Sequence, residues 1–511
     1  MTLGRTWAVG LVGITGRMVQ VEADVGAGLP TFTVGGLPDA ACAQAPDRIR
    51  AATANAGLQL PSRKVVVNLS PADLRKRGTG YDLGITLAIL AAAGSVPAEA
   101  VARVAHIGEL GLDGEVRSVP GVLPAVIAAR TAGLSRVVVP AASWTLASQV
   151  PGIEVVPVQH LAALVDDYVT HGRPMGCEPP AHEPPPEPEV PCLSEVYGQE
   201  EARRALEVAA AGSHHLLLHG APGTGKTMLA ARLPGILPPL EEDEALEVAA
   251  IASVMEAEAV GITRVRPFVA PHHASTASAI LGGGAGRPRP GAISRATHGV
   301  LFLDEAPEVR RDVLEGLRQP LEEGRVVLLR SEGAVELPAR FQLVLAANPC
   351  PCGRGGRRAP GAPGAPVCEC TPQARRTYAK RLSGPVRDRI DLQVEMDPGT
   401  PWAAGAALPE SSAVVAERVA AARQRQAERW RGCVWSVNAH VPGGVLRRGP
   451  HAVDERALGP LRRSHAAGVL STRAVDRILR VARTLADLAG SDRVSLEHVM
   501  RAMNLRGVEE A

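Results

Sequence analysis

Long apolar runs are absent from the 511 residues of this chain. No segment reaches the roughly 18 consecutive apolar residues that are needed to cross a bilayer. The N-terminal residues also lack the apolar core of a secretory signal. We therefore expect a soluble, cytoplasmic protein with no membrane partner.

Lysine is scarce, and neither positive nor negative charge is in large excess. The formal net charge is +2, and the 55 basic residues include only four lysines: Lys64, Lys76, Lys226 and Lys380. A near-neutral total identifies no partner, because it can still conceal a basic channel on one face of the protein.

Cysteine is scarce as well. Eight cysteines in a chain of this length, without a secretory signal, do not indicate a disulfide framework. Four of them are nevertheless grouped between residues 350 and 370, which points to a local role for that group.

The clearest domain boundary is a segment rich in proline and glutamate at 173–192. Its composition leaves little that could form a core and is typical of an extended linker. With 46% hydrophobic residues, the chain is large enough for about two to four domains. We therefore expect a first domain at 1–172 and further domains after residue 192.

Strand and helix patterns differ between the two sides of this linker. Before it, β-prone runs at 64–69 and 136–140 alternate with alanine-rich helical stretches, which predicts an α+β domain. From 193 to 400, strands and helices alternate as in a parallel sheet with helices on both faces. From 401 to 511, apolar residues recur at helical spacing. The predicted fold class is thus α/β and multidomain.

The sequence at 220–227 has the form of a phosphate-binding loop, or P-loop. An apolar strand at 216–218 precedes it and a helix-compatible stretch at 228–233 follows. Glycines let backbone N–H groups surround phosphates, Lys226 reaches the outer phosphates, and the Thr227 hydroxyl suits Mg²⁺. The predicted nucleoside triphosphate site comprises Gly220, Ala221, Pro222, Gly223, Thr224, Gly225, Lys226 and Thr227.

A second element, at 299–305, is an apolar strand that ends in two carboxylates and resembles a Walker B strand. Asp304 would hold Mg²⁺ through water, and Glu305 would polarise the water that attacks the triphosphate. Paired acids at a strand end are a weak signal alone, but downstream of a P-loop they predict hydrolysis as well as binding.

Five further motifs point to one family. They are GGLPD at 35–39, VNLSPADL at 67–74, APHH at 270–273, NPCPCG at 348–353 and SGPVRDRID at 383–391. Together with the P-loop they resemble the magnesium-chelatase-like AAA+ ATPases of the ComM/YifB group. The resemblance extends from about residue 5 to residue 507.

This resemblance implies an ATP site shared between neighbouring subunits of a homo-hexameric ring, with Mg²⁺. Asn348 resembles the sensor 1 residue that positions the attacking water. Arg389, beside Asp388, resembles the arginine finger donated to the next subunit's nucleotide, and Arg473 resembles sensor 2. In a chain this rich in arginine, both guanidinium groups are also compatible with simple surface positions.

The resemblance also implies that two segments reach DNA inside the ring, namely the insertion at 267–295 and the hairpin at 324–340. The insertion contains His272 and His273. Adjacent residues of an extended strand point to opposite faces, so we do not expect the two histidines to share a metal ion. The candidate phosphate contacts, which also fit subunit surfaces, are Arg287, Arg289, Arg325 and Arg330.

The grouped cysteines have the pattern Cys-x-Cys, fifteen residues, Cys-x-Cys. Four thiolates satisfy tetrahedral Zn²⁺, and the intervening loop has little capacity to fold unaided. The usual spacing is Cys-x-x-Cys, so unliganded thiols and a redox role stay open beside zinc. The predicted zinc ligands are Cys350, Cys352, Cys368 and Cys370. Arg354, Arg357 and Arg358 in the loop are further candidate DNA contacts.

The first domain resembles the Lon protease fold, of the ribosomal S5 domain 2-like type, at 108–115 and 120–125. A Lon-type peptidase needs a serine nucleophile and a lysine to activate it. Here Asp82 stands where the serine would be and Ala125 where the lysine would be. We therefore expect no peptidase activity and a docking or DNA-engaging role.

Two functions follow from these resemblances. We favour a hexameric, ATP-hydrolysing motor on single-stranded or branched DNA, similar to the ComM branch-migration helicases of recombination and natural transformation. The alternative is a chelatase-type ATPase that remodels a protein partner. The chelatase ATPase subunit is expected to resemble only the middle and last parts of the chain, which favours the DNA motor over the chelatase-type ATPase. A scaffold with little turnover is disfavoured by Glu305, Asn348 and Arg389.

Overall fold

The computed structural model describes residues 3–178, 188–256, 261–284, 288–330, 333–354, 368–382, 384–396, 409–448 and 450–508. Within them the chain forms two main β-sheets, one on each side of the proline-rich segment, and a helical C-terminal part. The predicted mixed α/β, multidomain class is confirmed.

The first sheet has seven strands of mixed direction. The strands of this part are β1 (Gly4–Val12), β2 (Thr15–Gly26), β3 (Thr31–Gly35), β4 (Lys64–Ser70), β5 (Ala105–His106), β6 (Glu109–Leu110), β7 (Val116–Arg117), β8 (Arg136–Pro140) and β9 (Glu154–Val158). The sheet order is β3-β4-β2-β1-β5-β8-β9, and β6 pairs separately with β7. The strands predicted at 64–69 and 136–140 are present as β4 and β8.

Helices cover this sheet. They are α1 (Ala40–Ala43), α2 (Ala45–Asn55), α3 (Asp82–Ala92), α4 (Ala98–Val101), α5 (Val122–Thr131), α6 (Trp144–Ala147) and α7 (Leu161–His171). Every residue of α3 is buried, because the helix packs closely across β1 and β2. A Cβ atom at Gly4 would lie 1.9 Å from the Ala88 carbonyl oxygen, so this close approach requires glycine.

The second sheet is parallel throughout. The strands here are β10 (Leu216–Gly220), β11 (Phe268–Val269), β12 (Val300–Leu303), β13 (Arg325–Arg330), β14 (Gly333–Pro338), β15 (Gln342–Ala347) and β16 (Leu392–Met396). The sheet order is β11-β12-β15-β10-β16, while β13 and β14 form an antiparallel hairpin. Since parallel strands end at one edge of a sheet, the residues after β10, β12 and β15 converge there.

The helices around this sheet are α8 (Glu200–Gly212), α9 (Lys226–Ala230), α10 (Glu242–Met255), α11 (Ala277–Leu281), α12 (Ala292–Arg295), α13 (Arg311–Gly316), α14 (Arg318–Glu323), α15 (Pro372–Arg381) and α16 (Gly384–Arg387). The helix expected to run to residue 233 ends at Ala230. In a longer helix the ring of Pro234 would clash with the carbonyl group of Ala230.

The C-terminal part is helical, as predicted. It contains α17 (Ser412–Arg429), α18 (Gly443–Arg447), α19 (Gly459–Ala466), α20 (Thr472–Leu488) and α21 (Leu496–Asn504). Helices α17 and α20 pack on α8 and share the apolar core of the second sheet. None of the helices in the described ranges combines the length and the apolar character that a bilayer crossing requires.

Helix α10 and the β13–β14 hairpin attach the first part of the chain to the second. Leu246 and Ala250 of α10 lie in one apolar cluster with residues of α5. The Gly121 N–H donates to the Ser253 carbonyl oxygen at 2.7 Å. A Cβ atom at Gly13, in the β1–β2 turn, would lie 2.8 Å from the side chain of Val335 in the hairpin. The two parts are therefore joined by direct packing.

Candidate functional site

The P-loop connects β10 to α9 and has the backbone shape that its glycines allow. Gly223 and Gly225 have φ angles of 82° and 88°, in the left-handed region that favours glycine. Thr224 donates its hydroxyl hydrogen to the Ala221 carbonyl oxygen at 2.9 Å, which closes the loop. The backbone N–H groups at the start of α9 can then receive an anion.

Lys226 is buried at the base of this loop. Its ammonium group donates to the carbonyl oxygens of Gly220 (2.7 Å) and Ala221 (2.9 Å) and to Asn348 Oδ1 (3.2 Å). Burial lowers the pKa of Lys226 from its usual value, while Asp304 and Glu305 oppose that shift. An ammonium group has three hydrogens, so a bound phosphate must replace at least one of these partners.

Asp304 brings the second carboxylate motif to the P-loop. The Thr227 hydroxyl donates to Asp304 Oδ2 at 2.8 Å, although the two residues are 77 positions apart in the sequence. A hydroxyl and a carboxylate at this distance are the oxygen ligands that Mg²⁺ prefers beside nucleotide phosphates. The structure thus places together the two residues predicted to hold Mg²⁺.

Glu305 has an unusual backbone and an unexpected partner. Its φ and ψ are 48° and 44°, a left-handed conformation that costs on the order of 1–3 kcal/mol for a residue other than glycine. Its N–H donates to Asp304 Oδ1 at 2.8 Å, and its carboxylate Oε2 lies 3.1 Å from His273 Nδ1. The hydrolytic candidate is therefore oriented by contacts on both sides.

The position of His273 differs from the expectation. Strand β11 ends at Val269, and His272 and His273 lie in the turn that follows, where the proline at position 271 cannot donate to a sheet. The two imidazole rings are tilted against each other, with centroids 4.2 Å apart, and do not point to opposite faces. Sequence reasoning missed the contact with Glu305 because no local signal predicts this turn.

Gln199 is a second contact that the sequence did not indicate. It precedes α8 with φ 56° and ψ 37°, and its Nε2 donates to the Thr224 carbonyl oxygen at 3.4 Å. The entrance to α8 therefore lies against the P-loop. The only hint in the sequence is the Gly198–Gln199 pair directly before a helical pattern.

One of the two candidate arginines is buried and the other is exposed. Arg389 is 8% exposed and forms an ion pair with Glu322 of α14. Arg473 is the second residue of α20 and is exposed. One turn later, Arg477 Nη1 lies 2.6 Å from the buried Asp391, which connects the Arg389 segment to α20.

The four grouped cysteines meet in space. Their Sγ atoms all lie within 4.8 Å of one another, and those of Cys350, Cys352 and Cys368 are 3.3–3.5 Å apart. Tetrahedral zinc with Zn–S distances of about 2.3 Å separates its sulfur ligands by about 3.8 Å, so these residues fit a metal ion. The cluster is also close to the P-loop: a Cβ atom at Gly353 would lie 2.6 Å from the ring of Pro222.

The candidate DNA contacts are in different environments. Arg289 is exposed, whereas Arg325 is paired with Glu336 at 3.0 Å and Arg354 with Glu369 at 3.3 Å. The positions of Arg287, Arg357, Arg358 and the Arg330 side chain lie outside the described residues.

The two positions compared with a peptidase site are both buried. Asp82 begins α3 and pairs with Arg48, whose Nε and Nη2 donate at 2.7 and 2.8 Å. Burial raises the pKa of Asp82 to about 6, and the bonds from Arg48 oppose that shift. Ala125 lies in the apolar core beside α10. Asp82 therefore serves here as the partner of a buried ion pair.

Three family models match most of the chain. One model, described as magnesium chelatase, subunit ChlI, matches residues 192–402. A second, described as the C-terminal region of the same subunit, matches residues 409–506. A model described as subunit ChlI of Mg-chelatase matches residues 21–143. The expectation that chelatase likeness is restricted to the middle and last parts of the chain is therefore wrong.

Individual relatives are similar over their full length. The chain is 47% identical to Rv2897c of Mycobacterium tuberculosis over 510 residues, 99% of each chain. It is 39% identical to YifB of Escherichia coli over 98% of this chain and 96% of that protein. It is 37% identical to the competence protein ComM of Haemophilus influenzae, over 99% and 98%. The chain therefore belongs to the ComM/YifB family of magnesium-chelatase-like AAA+ ATPases.

Proposed function

We propose that this protein is a hexameric motor that uses ATP hydrolysis to move on single-stranded or branched DNA, as a branch-migration helicase of the ComM type. The observation that supports the catalytic part most strongly is the joining of three motifs at one sheet edge. Thr227 contacts Asp304, and Lys226 contacts Asn348. This arrangement suits a triphosphate with Mg²⁺ and an attacking water.

The arrangement of the arginines supports a ring. Arg389 pairs with Glu322 of α14, and Arg473 is exposed at the start of α20. Charge that develops on the γ-phosphate during hydrolysis requires a neutralising group, for which a guanidinium is well suited. A neighbouring subunit that donates Arg389 would supply it, once the guanidinium leaves Glu322.

The surface around the hairpin supports a nucleic-acid partner. Leu329 of β13 is 80% exposed, on a hairpin that also carries Arg325, and Arg289 is exposed on the preceding insertion. Guanidinium groups contact phosphates without regard to sequence and in a salt-dependent way. The full-length similarity to a competence protein agrees with DNA as the substrate.

The test is an ATPase assay on the full chain with single-stranded, duplex and forked DNA, beside native mass measurement. We expect a hexamer whose hydrolysis rate rises with single-stranded or forked DNA and whose stimulation declines as salt increases. A ring with no DNA response would contradict the DNA motor and favour the alternative, a chelatase-type ATPase that acts on a protein partner.

We also propose that the four-cysteine cluster binds structural zinc. Cys350 is two residues after Asn348, and Gly353 lies against Pro222 of the P-loop. A metal ion held there would stabilise the base of the loop at 353–367 and the neighbouring strand end. The zinc would have a structural role, because four thiolates leave no open coordination position.

Replacing Cys350, Cys352, Cys368 and Cys370 with serine is expected to remove the zinc, about one ion per chain. The unfolding temperature and the ATPase rate should both decrease, because the cluster abuts the P-loop. The measurements are metal analysis of protein purified without chelator, thermal unfolding and ATP turnover. Cys433→Ser, which changes an exposed cysteine outside the cluster, is the control. Wild-type protein without zinc, or a quadruple variant of normal stability, would contradict the proposal.

A further inference from the structure

The backbone that carries Arg389 is attached to the helical C-terminal part directly after that arginine. Arg477 of α20 donates from Nη1 to Asp391 Oδ1 at 2.6 Å. The carbonyl oxygen of Ile390 accepts a hydrogen bond from Arg506, just beyond α21. The two residues that follow Arg389 are therefore both bonded to the C-terminal part of the chain.

Asp391 is a buried carboxylate with partners on two sides. It is 2% exposed. Burial by itself would raise the pKa of Asp391, but the Arg477 guanidinium holds that pKa well below its usual range. The N–H of His215 donates to Asp391 Oδ2 at 3.2 Å, and His215 directly precedes β10, the strand that enters the P-loop. Asp391 thus connects the Arg389 turn, α20 and the base of β10.

Helix α20 also carries the sensor 2 candidate. Arg473 and Arg477 are four residues apart in this helix and therefore lie on the same face. A shift of α20 on nucleotide binding would move Arg477 together with Arg473. Because Arg477 is bonded to Asp391, the shift would be passed to the turn that holds Arg389.

We propose that Asp391 positions Arg389 by fastening its turn to α20, so that α20 of one subunit sets the hydrolysis rate at the nucleotide of the next. This inference rests on the proposed role of Arg389 as a finger. A misplacement of about 1 Å can cost about a hundredfold in rate, because the reacting groups must be closely aligned. Asp391 acts through Arg389 and is therefore a positioning residue.

Asp391→Asn in the full-length protein tests this role by steady-state ATPase kinetics. The amide has the shape of the carboxylate but offers Arg477 no charged partner. We expect kcat to fall by about 10- to 100-fold and KM for ATP to stay near the wild-type value, because the P-loop is intact. If Asp391→Asn does not fold, Arg477→Gln removes the same pair from the α20 side. Arg477→Lys keeps the positive charge and should retain most of the wild-type rate.

A mixing experiment separates the positioning of Arg389 from a purely structural role. Lys226→Ala subunits lack the P-loop lysine but carry a normal Arg389 turn. In mixed rings they should place a correctly held Arg389 beside the intact P-loops of Asp391→Asn subunits. Turnover per Asp391→Asn subunit should then rise toward the wild-type rate. A defect within the Asp391→Asn subunit's own P-loop or fold would not be restored in this way.

Arg429→Gln is the matched control. Arg429 forms two hydrogen bonds with the buried Asp487, near the opposite end of α20, and this pair is about as buried as that of Asp391 and Arg477. The variant should lower the unfolding temperature and leave kcat near the wild-type value.

Several outcomes would overturn the positioning role of Asp391. They are a wild-type kcat in both Asp391→Asn and Arg477→Gln, an equal loss of kcat in Arg429→Gln, and no restoration in mixed rings confirmed by native mass. A wild-type protein that hydrolyses ATP as a monomer would overturn the ring and this role together. If DNA does not stimulate the wild type but mixing restores activity, the DNA motor fails and the positioning role stands.

Discussion

Arg389→Ala protein is expected to bind ATP with wild-type affinity and to hydrolyse it about a thousandfold more slowly. Binding depends on the P-loop, whereas the Arg389 guanidinium pairs with Glu322 of α14. Hydrolysis depends on neutralising the charge of the transferred phosphoryl group, for which a guanidinium is well suited. Fluorescent-nucleotide binding and steady-state turnover measure the two effects separately.

A mixing experiment decides whether Arg389 acts on a neighbouring subunit. Lys226→Ala subunits lack the P-loop lysine but carry Arg389. Arg389→Ala subunits carry the P-loop lysine but lack Arg389. Each variant alone should be inactive. In mixed rings, an intact P-loop can lie beside an intact arginine, so ATPase activity should return on mixing.

Two results would contradict this assignment. If mixing restores no activity while native mass shows mixed rings, Arg389 does not act between subunits. Arg387, two residues earlier and exposed, provides the matched control. If Arg387→Ala loses hydrolysis and Arg389→Ala keeps it, the finger has been assigned to the wrong arginine of the motif.

Glu305→Gln protein is expected to retain ATP and to lose roughly 10²–10⁴-fold in hydrolysis rate, the usual contribution of a general base. Glutamine has the shape of glutamate, so the left-handed backbone and the bond from the Glu305 N–H to Asp304 should persist. The neutral amide cannot accept a proton from water. Single-turnover hydrolysis on a ring preloaded with ATP measures the chemical step directly.

The matched control is Glu308→Gln. Glu308 lies three residues further on and forms an exposed ion pair with Arg381 at 2.6 Å. Its replacement should leave turnover near the wild-type rate, because Glu308 pairs with Arg381 and is not predicted to activate water. Equal losses in both variants would show that charge near this strand end, and not Glu305 itself, supports hydrolysis.

Features encoded within short stretches of the chain could be predicted from the sequence. The P-loop requires an apolar strand, glycines with positive φ and a following helix, and all of these lie within residues 216–230. The strands β12 and β15 are likewise continuous apolar runs, since a parallel sheet buries both of their faces. The family motifs belong to the same class, because each is a short run of specified residues.

Contacts between distant segments could not be predicted, and they determine how the site is organised. The Thr227–Asp304 bond, the His273–Glu305 pair and the Gln199 contact each depend on strand register or on a turn. The pairing of Asp82 with Arg48 and of Arg389 with Glu322 is of the same kind.

The sequence by itself thus determined that the chain binds a triphosphate and which residues lie at the strand ends, because periodicity and glycine chemistry act locally. Only the tertiary structure decided which side chains those residues meet. The physical reason is that a hydrogen bond requires its atoms to be within about 3 Å, a condition set by the packing of the whole sheet.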